Sequence, residues 1–289
     1  MSGETSPFNL LPEDCIAKII SFTSPRDACA AAAVSPVFKS ASEYDVVWER
    51  FLPPDYEEIV SGSDLPVAFS TKKELYFLMC DTDLLLGGGK MSFRLDRSTG
   101  KKCYLFISSR ELEIASMDDP AHWEWISLPE SRFGEAIELK SVWWLEIRGT
   151  LRSQMLSPNT NYAAFLVFKL TKEYYGLKHS SKASVRVVKD STTKNTEVDD
   201  ENITTVYIDP ERCVQLEPMR PHMPPVRIIL RRGLSSRADG WLEIKLGEFV
   251  VEEGDEGDVV IQLCETEHLN RKKGLIVEGI EVRQKRSYF

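Results

Sequence analysis

The hydrophobic pattern of this chain changes its period near Cys103, and that change limits the possible folds more than any other feature. Before Cys103, apolar residues recur at helical spacing, as Ile16, Ile19 and Ile20 do. After it, apolar and polar residues alternate, as they do along 142–148. A period near 3.6 is typical of an amphipathic helix, and a period of two is typical of a half-buried strand. The sequence therefore predicts a helical first part and a β-rich second part.

The second part predicts on the order of ten short strands separated by loop signals. Most alternate, while 162–170 is continuously apolar, as in a strand covered on both faces. Little helix signal remains here, which favours an antiparallel, jelly-roll-like β-sandwich. Irregular segments are predicted at 189–202 and 218–225. The predicted strands are 104–107, 111–114, 142–148, 162–170, 185–187, 206–208, 226–230, 242–246, 259–263 and 274–282.

Short helices are predicted in the first part because their start signals are strong. Ser-Pro-Arg-Asp at 24–27 places a serine at the N-cap, a proline at the first helical position and a capping-box acid after them. Ser-Pro at 35–36 repeats the signal, and Thr71 with Glu74 has capping-box spacing. Pro12 likewise fits a first helical turn.

The helical stretch 9–51 is too short to bury all of its apolar side chains within itself. One interpretation is a small helical subdomain that closes over the rest of the protein. The other is a docking module whose remaining apolar stripe belongs to a partner. Periodicity alone leaves both open.

Four motifs in this stretch resemble the F-box family in order and spacing: Leu-Leu-Pro-Glu-Asp-Cys-Ile at 10–16, Ser-Pro-Arg-Asp at 24–27, Val-Ser at 34–35 and Val-Trp at 47–48. F-box proteins dock onto a Skp-type adaptor and, through it, onto a cullin ubiquitin ligase, so the resemblance implies these partners. It implies that the adaptor is contacted by Leu11, Pro12, Ile16 and Ile19. Trp48 is expected to be a core residue or an interface anchor.

Composition excludes several function classes. The 289 residues are 42% hydrophobic and 28% charged, which is typical of a soluble globular protein with room for two domains. A net charge of -9 disfavours a general nucleic-acid binder. No apolar run reaches membrane-spanning length, and the first residues lack a basic region and an apolar core. We expect the protein in the cytoplasm or the nucleus, without a membrane anchor.

The cysteines and histidines show no ligand spacing. The 6 cysteines contain no C-x-x-C pair, and the 4 histidines are scattered, so a zinc site and other cofactors are not expected. The Gly-Gly-Gly-Lys run at 87–90 lacks the first glycine and the hydroxyl residue of a phosphate-binding loop. We expect reduced, mostly buried thiols.

Two tryptophans stand close together in Asp-Asp-Pro-Ala-His-Trp-Glu-Trp at 118–125. If Trp123 points outward from a loop, its ring is a stacking face for a sugar, with carboxylates nearby to accept hydroxyl hydrogen bonds. Tryptophan is also highly buried on average. The sequence leaves both possibilities open for Trp123 and favours the core for Trp125.

Five motifs in the β-rich part resemble the plant phloem protein 2 family, which includes the Nictaba-type lectins. They occur in order at 123–128, 144–149, 162–169, 239–249 and 273–280. These lectins bind N-acetylglucosamine oligomers and N-glycan cores, so the resemblance implies such ligands and a lectin-type sandwich. It places sugar-binding positions at Trp123, Asp258 and Glu265. A further family tryptophan falls on Ser116, which has no stacking face.

Together the resemblances imply an α+β multidomain protein. We expect an F-box at 3–51, a helical linker region at 52–101 and a lectin-like domain at 102–289. Its function would be that of a ligase substrate receptor whose target is a protein, glycosylated or not. The alternative is a cytosolic or nuclear lectin without a ligase role.

A hydrolase is the third function class. Its candidate carboxylates are Glu146, Glu243 and Glu248. Glycoside hydrolysis needs two carboxylates that face each other across a cleft. In a regular strand Glu243 and Glu248 point to opposite faces, so the sequence disfavours this class.

Overall fold

The computed structural model describes residues 11–188, 203–210 and 234–285. The chain divides into two compact units, Met1–Leu105 and Phe106–Phe289. The predicted strand at 226–230, the irregular segments at 189–202 and 218–225, Cys213 and His222 lie outside the described residues.

The first unit contains six short helices. They are α1 (Glu13–Ile20), α2 (Pro25–Ala31), α3 (Pro36–Ser42), α4 (Asp45–Phe51), α5 (Tyr56–Ser61) and α6 (Lys72–Asp81). The three predicted N-caps are confirmed, because the hydroxyls of Ser24, Ser35 and Thr71 each accept a backbone N–H three residues later. Their local side-chain bonds fix where α2, α3 and α6 begin.

The helices of the first unit pack around Trp48. Its ring lies 5.7 Å from Phe51, 5.2 Å from Tyr76 and 5.1 Å from Phe77, measured between centroids. Its indole N–H donates to the carbonyl of Ser42 at 2.7 Å, so the buried polar atom is satisfied. Of the two roles expected for Trp48, the structure shows the core role.

The segment expected to be a helical linker also contains a hairpin, β1 (Leu84–Leu86) and β2 (Met91–Leu95). Gly87, Gly88 and Gly89 all have positive φ in its turn, which glycine adopts without steric cost. The N–H groups of Gly88 and Gly89 donate to the carboxylate of Asp64 at 2.7 and 2.6 Å. These two backbone amides therefore bind a carboxylate of the protein itself.

The second unit is built from strands. Strand β3 (Lys102–Ser108) begins in the first unit and ends in the second. The others are β4 (Glu113–Ile114), β5 (Trp123–Ser127), β6 (Glu135–Leu139), β7 (Leu145–Arg152), β8 (Thr160–Tyr175), β9 (Ser181–Val188), β10 (Ile203–Val206), β11 (Leu234–Ser236), β12 (Leu242–Val251), β13 (Asp258–Glu265) and β14 (Lys273–Gln284).

These strands form two sheets. One has the order β3-β14-β8-β12-β11, with β6 also on β14 and β5 on β6. The other has the order β10-β9-β13-β7-β4. The sheets come close at Gly247, where a Cβ would lie 2.8 Å from the side chain of Val185. Neighbouring strands with a resolved register are antiparallel, so the predicted antiparallel β-sandwich after a helical module is confirmed.

A β-bulge between Lys245 and Gly247 shifts the register of β12. Glu243 lies opposite Val167 and Glu248 lies opposite Ala163 on β8. These two partners are four residues apart, so Glu243 and Glu248 share one face of the sheet. The expectation that they point to opposite faces is wrong, because it assumed a regular strand.

Candidate functional site

An apolar stripe runs along one side of α1. Pro12, Cys15, Ile19 and Phe22 are spaced by three or four residues and are all exposed, with Leu11 just before them. The exposed fractions of Leu11, Ile19 and Phe22 are 37%, 48% and 62%. The Phe22 ring is flanked by cations, with the charged groups of Lys18 and Arg50 at 5.4 and 4.5 Å from its centroid. We call Leu11, Pro12, Cys15, Ile19 and Phe22 the α1 stripe.

Ile16 lies on the opposite side of α1, and this corrects one predicted contact. It is buried with Ala17 and Ile20 in the core of the first unit. A buried side chain cannot contact an adaptor, so Ile16 supports the helix from behind. Leu11, Pro12 and Ile19 remain available at the surface.

Trp123 does not present a stacking face. It begins β5 and is buried, and its indole N–H donates to the carbonyl of Ala115 at 3.0 Å. Of the two possibilities that the sequence left open for Trp123, the structure therefore shows burial in the core. Trp125, for which the sequence favoured the core, is only half-buried, with the guanidinium of Arg110 4.3 Å from its ring centroid.

Asp258 and Glu265 do not come together, because they are the first and last residues of β13. Seven residues of extended strand separate them by about 23 Å. Asp258 lies opposite Arg152, and Glu265 lies opposite Leu145. Glu265 therefore belongs to a different end of the sandwich from Asp258.

Glu265 is the centre of a buried polar cluster. Its carboxylate forms an ion pair with Lys272 and accepts the backbone N–H of His268 at 2.9 Å. Burial raises the pKa of the Glu265 carboxyl, but the hydrogen bonds from Lys272 and His268 outweigh it and hold the pKa below its usual 4.5. The carboxylate is therefore charged at neutral pH and serves as a structural anion.

Lys272 joins two loops through the same cluster. Its ammonium donates to the carbonyls of Trp143 and His268 at 2.8 and 2.9 Å. The ring of His268 stacks on that of His179, with centroids 4.0 Å apart. Burial and the neighbouring His268 lower the pKa of the His179 imidazole from 6.5.

Trp143 and Trp144 are exposed aromatic residues that were not among the site residues predicted from the sequence. The predicted strand 142–148 begins only at Leu145, so both tryptophans lie in the preceding loop and both are exposed. The doublet itself was a usable signal. Consecutive residues of a strand point to opposite faces, so two adjacent tryptophans are both buried only in a strand covered on both sides.

Two protein families match the chain. The family described as F-box domain matches residues 8–50. The family described as Phloem protein 2 matches residues 101–284, more than half of the chain. The chain is an F-box protein of the phloem protein 2 family.

Relatives from Arabidopsis thaliana align over nearly the whole length. F-box protein PP2-B10 is 41% identical over 98% of this chain and 96% of its own. F-box protein PP2-B1 is 37% identical over 98% of this chain and 91% of its own. Both resemblances predicted from sequence, to the F-box and to phloem protein 2, are confirmed.

Similar solved structures include two carbohydrate-binding modules. The C-terminal family 22 module of Clostridium thermocellum Xyn10B has a TM-score of 0.31 and 11% identity, over 63% of this chain and 90% of that one. The mannan-binding module TmCBM27 has a TM-score of 0.28 and 13% identity, over 63% and 89%. The fold of the phloem protein 2 domain is assigned from its own strand pairing.

The three candidate carboxylates of a hydrolase all have partners within the phloem protein 2 domain. Glu146 accepts the amide of Gln262 at 2.9 Å. Glu243 is held by Arg237 and Arg283 at 3.0 and 2.6 Å. Hydrogen bonds from Lys245 and Lys285 lower the pKa of Glu248. A general acid needs a raised pKa, so Glu248 does not fit that role.

The described ranges contain no group of three or more His, Cys, Asp or Glu side chains that could hold a metal ion. None of the helices there is long and apolar enough to span a bilayer.

Proposed function

We propose that this protein is the substrate-recognition subunit of a Skp–cullin–F-box ubiquitin ligase. Its F-box docks onto a Skp-type adaptor, and its phloem protein 2 domain selects the target. The role is non-catalytic, since the ligase machinery is supplied by the partners. The α1 stripe is the observation that carries the proposal.

The stripe is left over after the module has completed its own core. Ile16 and Trp48 fill the interior, while Leu11, Ile19 and Phe22 remain exposed on one side of α1. Burying such a side chain stabilises a complex by about 1.5–3 kcal/mol before the costs of association. An exposed row of this kind marks an interaction site. Because Lys18 and Arg50 border it, we expect acidic residues around an apolar contact on the adaptor.

Target selection through N-glycans or N-acetylglucosamine oligomers stays a prediction from the family resemblance. Trp123 offers no free ring, and Asp258 and Glu265 are far apart. A glycan array probed with the full chain tests this part. Specific binding that survives Trp123→Phe would point to other residues of the domain.

We place this activity in the cytoplasm or the nucleus. The thiols of Cys15, Cys29, Cys80 and Cys264 form no disulfide, as suits a reducing compartment. Imaging of a tagged full-length chain tests the assignment. A signal confined to the secretory pathway would contradict it.

Adaptor co-purification tests the receptor role. The double variant Leu11→Asp, Ile19→Asp should lose a co-expressed Skp-type adaptor, because two carboxylates would be buried in an apolar contact. Leu65→Asp is the matched control, since Leu65 is exposed in the same unit but lies outside the α1 stripe. It should keep the adaptor.

Thermal unfolding of all three proteins separates docking from folding. The variants replace exposed side chains, so each should unfold within a few degrees of the wild type. Retention of the adaptor by the double variant would reject the stripe as the docking face. A wild-type chain that binds glycans but no adaptor would favour the lectin alternative.

A further inference from the structure

Three segments of the phloem protein 2 domain meet at one end of the sandwich: 141–144, 172–180 and 266–273. We call them the loop end. We infer that the loop end docks the target protein of the ligase, through a target segment that carries apolar and acidic side chains. That the docked partner is a ligase target rests on the proposed function. That the loop end is a binding surface does not depend on it.

Large apolar side chains are concentrated on the loop end. The exposed fractions are 55% for Trp143, 48% for Trp144, 61% for Tyr175 and 69% for Leu269. Among the large hydrophobic residues described in this domain, Val250 is the other one that is exposed. Tryptophan and tyrosine are the residue types most enriched in the energetic centres of protein interfaces. An exposed apolar cluster of this kind marks a binding surface.

The three segments are held in place by hydrogen bonds. Val142 and Lys272 exchange backbone hydrogen bonds of 3.1 and 2.7 Å. The guanidinium of Arg271 donates to the hydroxyl of Ser141 at 2.9 Å. The amide of Asn270 donates to the carbonyl of Gly176 at 3.0 Å. Because these bonds fix the backbone before a partner arrives, docking costs less conformational entropy.

The charge of the loop end is opposite to that of the whole chain. Each nearby glutamate is paired with a lysine: Glu173 with Lys273, Glu265 with Lys272, and Glu267 with Lys182. Three exposed cations are left, and no carboxylate among the described residues is within ion-pair distance of them: Lys172, Lys178 and Arg271. On a chain of net charge -9 this is a local positive surplus, which complements an acidic partner.

A protein fits this surface better than a sugar or a membrane. Leu269, the most exposed of the four, offers no ring for a sugar to stack on, and three unpaired cations add nothing to the binding of a neutral sugar. Glu173 and Glu267 have 87% and 58% of their side chains exposed at the rim. Anionic lipids would place negative charge over the whole rim, including these carboxylates, whereas a target segment can place its acidic side chains opposite the three cations alone.

Synthetic peptides test the inference directly. The labelled full chain, with and without a co-expressed Skp-type adaptor, is titrated against three immobilised peptide sets. One alternates Asp or Glu with Leu or Phe, the second replaces the acids by lysine, and the third replaces the apolar residues by serine. Only the first set should bind, and its affinity should fall as salt is raised, because exposed charges are screened.

Two variants and one control locate the binding. Trp143→Ser with Trp144→Ser should weaken binding of the first set at least about tenfold, since it removes two interface aromatics. Lys178→Glu with Arg271→Glu should also weaken it, and the remaining affinity should no longer fall as salt is raised. Val250→Ser removes an exposed apolar side chain outside the loop end and should change nothing.

Equal binding by the tryptophan variant, or binding of all three peptide sets alike, would overturn the inference. So would retention of the wild type on phosphatidylserine vesicles or on chito-oligosaccharide resin that the tryptophan variant loses. Adaptor co-purification is measured on the same samples. A chain that binds the acidic–apolar peptides but not the adaptor keeps the docking surface and loses the receptor role.

Discussion

The two exposed apolar surfaces of this protein are built in different ways. The α1 stripe consists of residues on one short helix and directly beside its two ends, so a stretch of twelve residues from Leu11 to Phe22 contains all of it. The loop end gathers segments that are more than a hundred residues apart in the chain, 141–144 and 266–273. The α1 stripe is determined by one short segment of the sequence, whereas the loop end exists only after the sheets have formed.

This difference predicts how each surface responds to a single substitution. The α1 stripe can lose a side chain without losing the helix, because Ile16, Ala17 and Ile20 anchor α1 from the other side. Besides its other hydrogen bonds, the loop end relies on one buried ammonium, that of Lys272, which reaches the carbonyls of Trp143, His268 and Asn270. A surface assembled over long distances is therefore the more vulnerable to one substitution.

The largest expected effect is that of Lys272→Met. The side chains of Lys272 and Glu265 are 1% and 3% exposed, so the variant leaves a carboxylate buried without its cation. Breaking such a pair costs about 3–5 kcal/mol. Urea unfolding measures the loss, and hydrogen exchange should show faster opening of 141–144 and 266–273.

Lys182→Met is the matched control for that variant. It breaks the ion pair with Glu267, whose side chains are 57% and 58% exposed. Exposed pairs contribute about 0–1 kcal/mol, so this variant should be nearly neutral. Equal destabilisation by both variants would show that the buried pair does not hold the loop end together.

In the F-box, Ile16→Ala and Ile19→Ala should separate stability from docking. Ile16 is buried, and truncating a buried isoleucine costs about 2–5 kcal/mol. Ile19 is exposed, so its truncation should change the unfolding free energy by no more than about 0.5 kcal/mol. Adaptor affinity should fall in the Ile19 variant without loss of fold. The reverse pattern would place Ile19 in the core.

Sequence predicted the parts of this structure that short-range bonds decide. The starts of α2, α3 and α6 follow from hydroxyls that cap N–H groups three residues away, and no distant residue is needed. The same pattern grouped Ile16 with Ile19, although the structure buries only Ile16. Helical periodicity predicts that an apolar stripe exists. It does not predict which side chains of that stripe a neighbouring helix covers.

The sandwich contains features that hydrophobic periodicity does not predict. Most of its strands and their antiparallel pairing were predicted, yet β11 and the hairpin of β5 and β6, which contains Trp123, were not. Trp123 is buried because its indole reaches the carbonyl of Ala115, outside that hairpin. The bulge in β12 reversed the expected relation of Glu243 and Glu248 in the same way. Such events depend on neighbouring strands rather than on the local sequence.

The local nature of the F-box helices can be tested at a cap. Ser24→Ala removes the hydroxyl that accepts the N–H of Asp27 at 3.1 Å, and should cost about 1 kcal/mol. Ser24→Thr keeps a hydroxyl at the same position and should retain most of the stability. Thermal unfolding compares the three proteins. A loss of equal size in both variants would mean that the hydroxyl caps nothing.

The smallest expected effect concerns pH and the loop end. The pKa of His179 lies below 6.5 because burial and the adjacent His268 disfavour its charged form. The unfolded chain therefore binds this proton more readily than the folded chain, so stability is full above pH 6.5 and declines as the pH falls below it, until the folded pKa is passed. The change is small because the imidazole is half exposed.

NMR titration of the His179 ring measures its pKa directly. His268→Gln removes the neighbouring imidazole while keeping an amide that can donate to Glu265, so the His179 midpoint should move up towards 6.5. His179→Phe keeps a ring on His268 but cannot take up a proton, so its stability should vary less between about pH 6.5 and 5 than that of the wild type. An unchanged midpoint in His268→Gln would mean that the ring stack does not set the charge of His179. The F-box, whose described residues 11–50 contain no histidine, should bind the adaptor equally well in all three proteins.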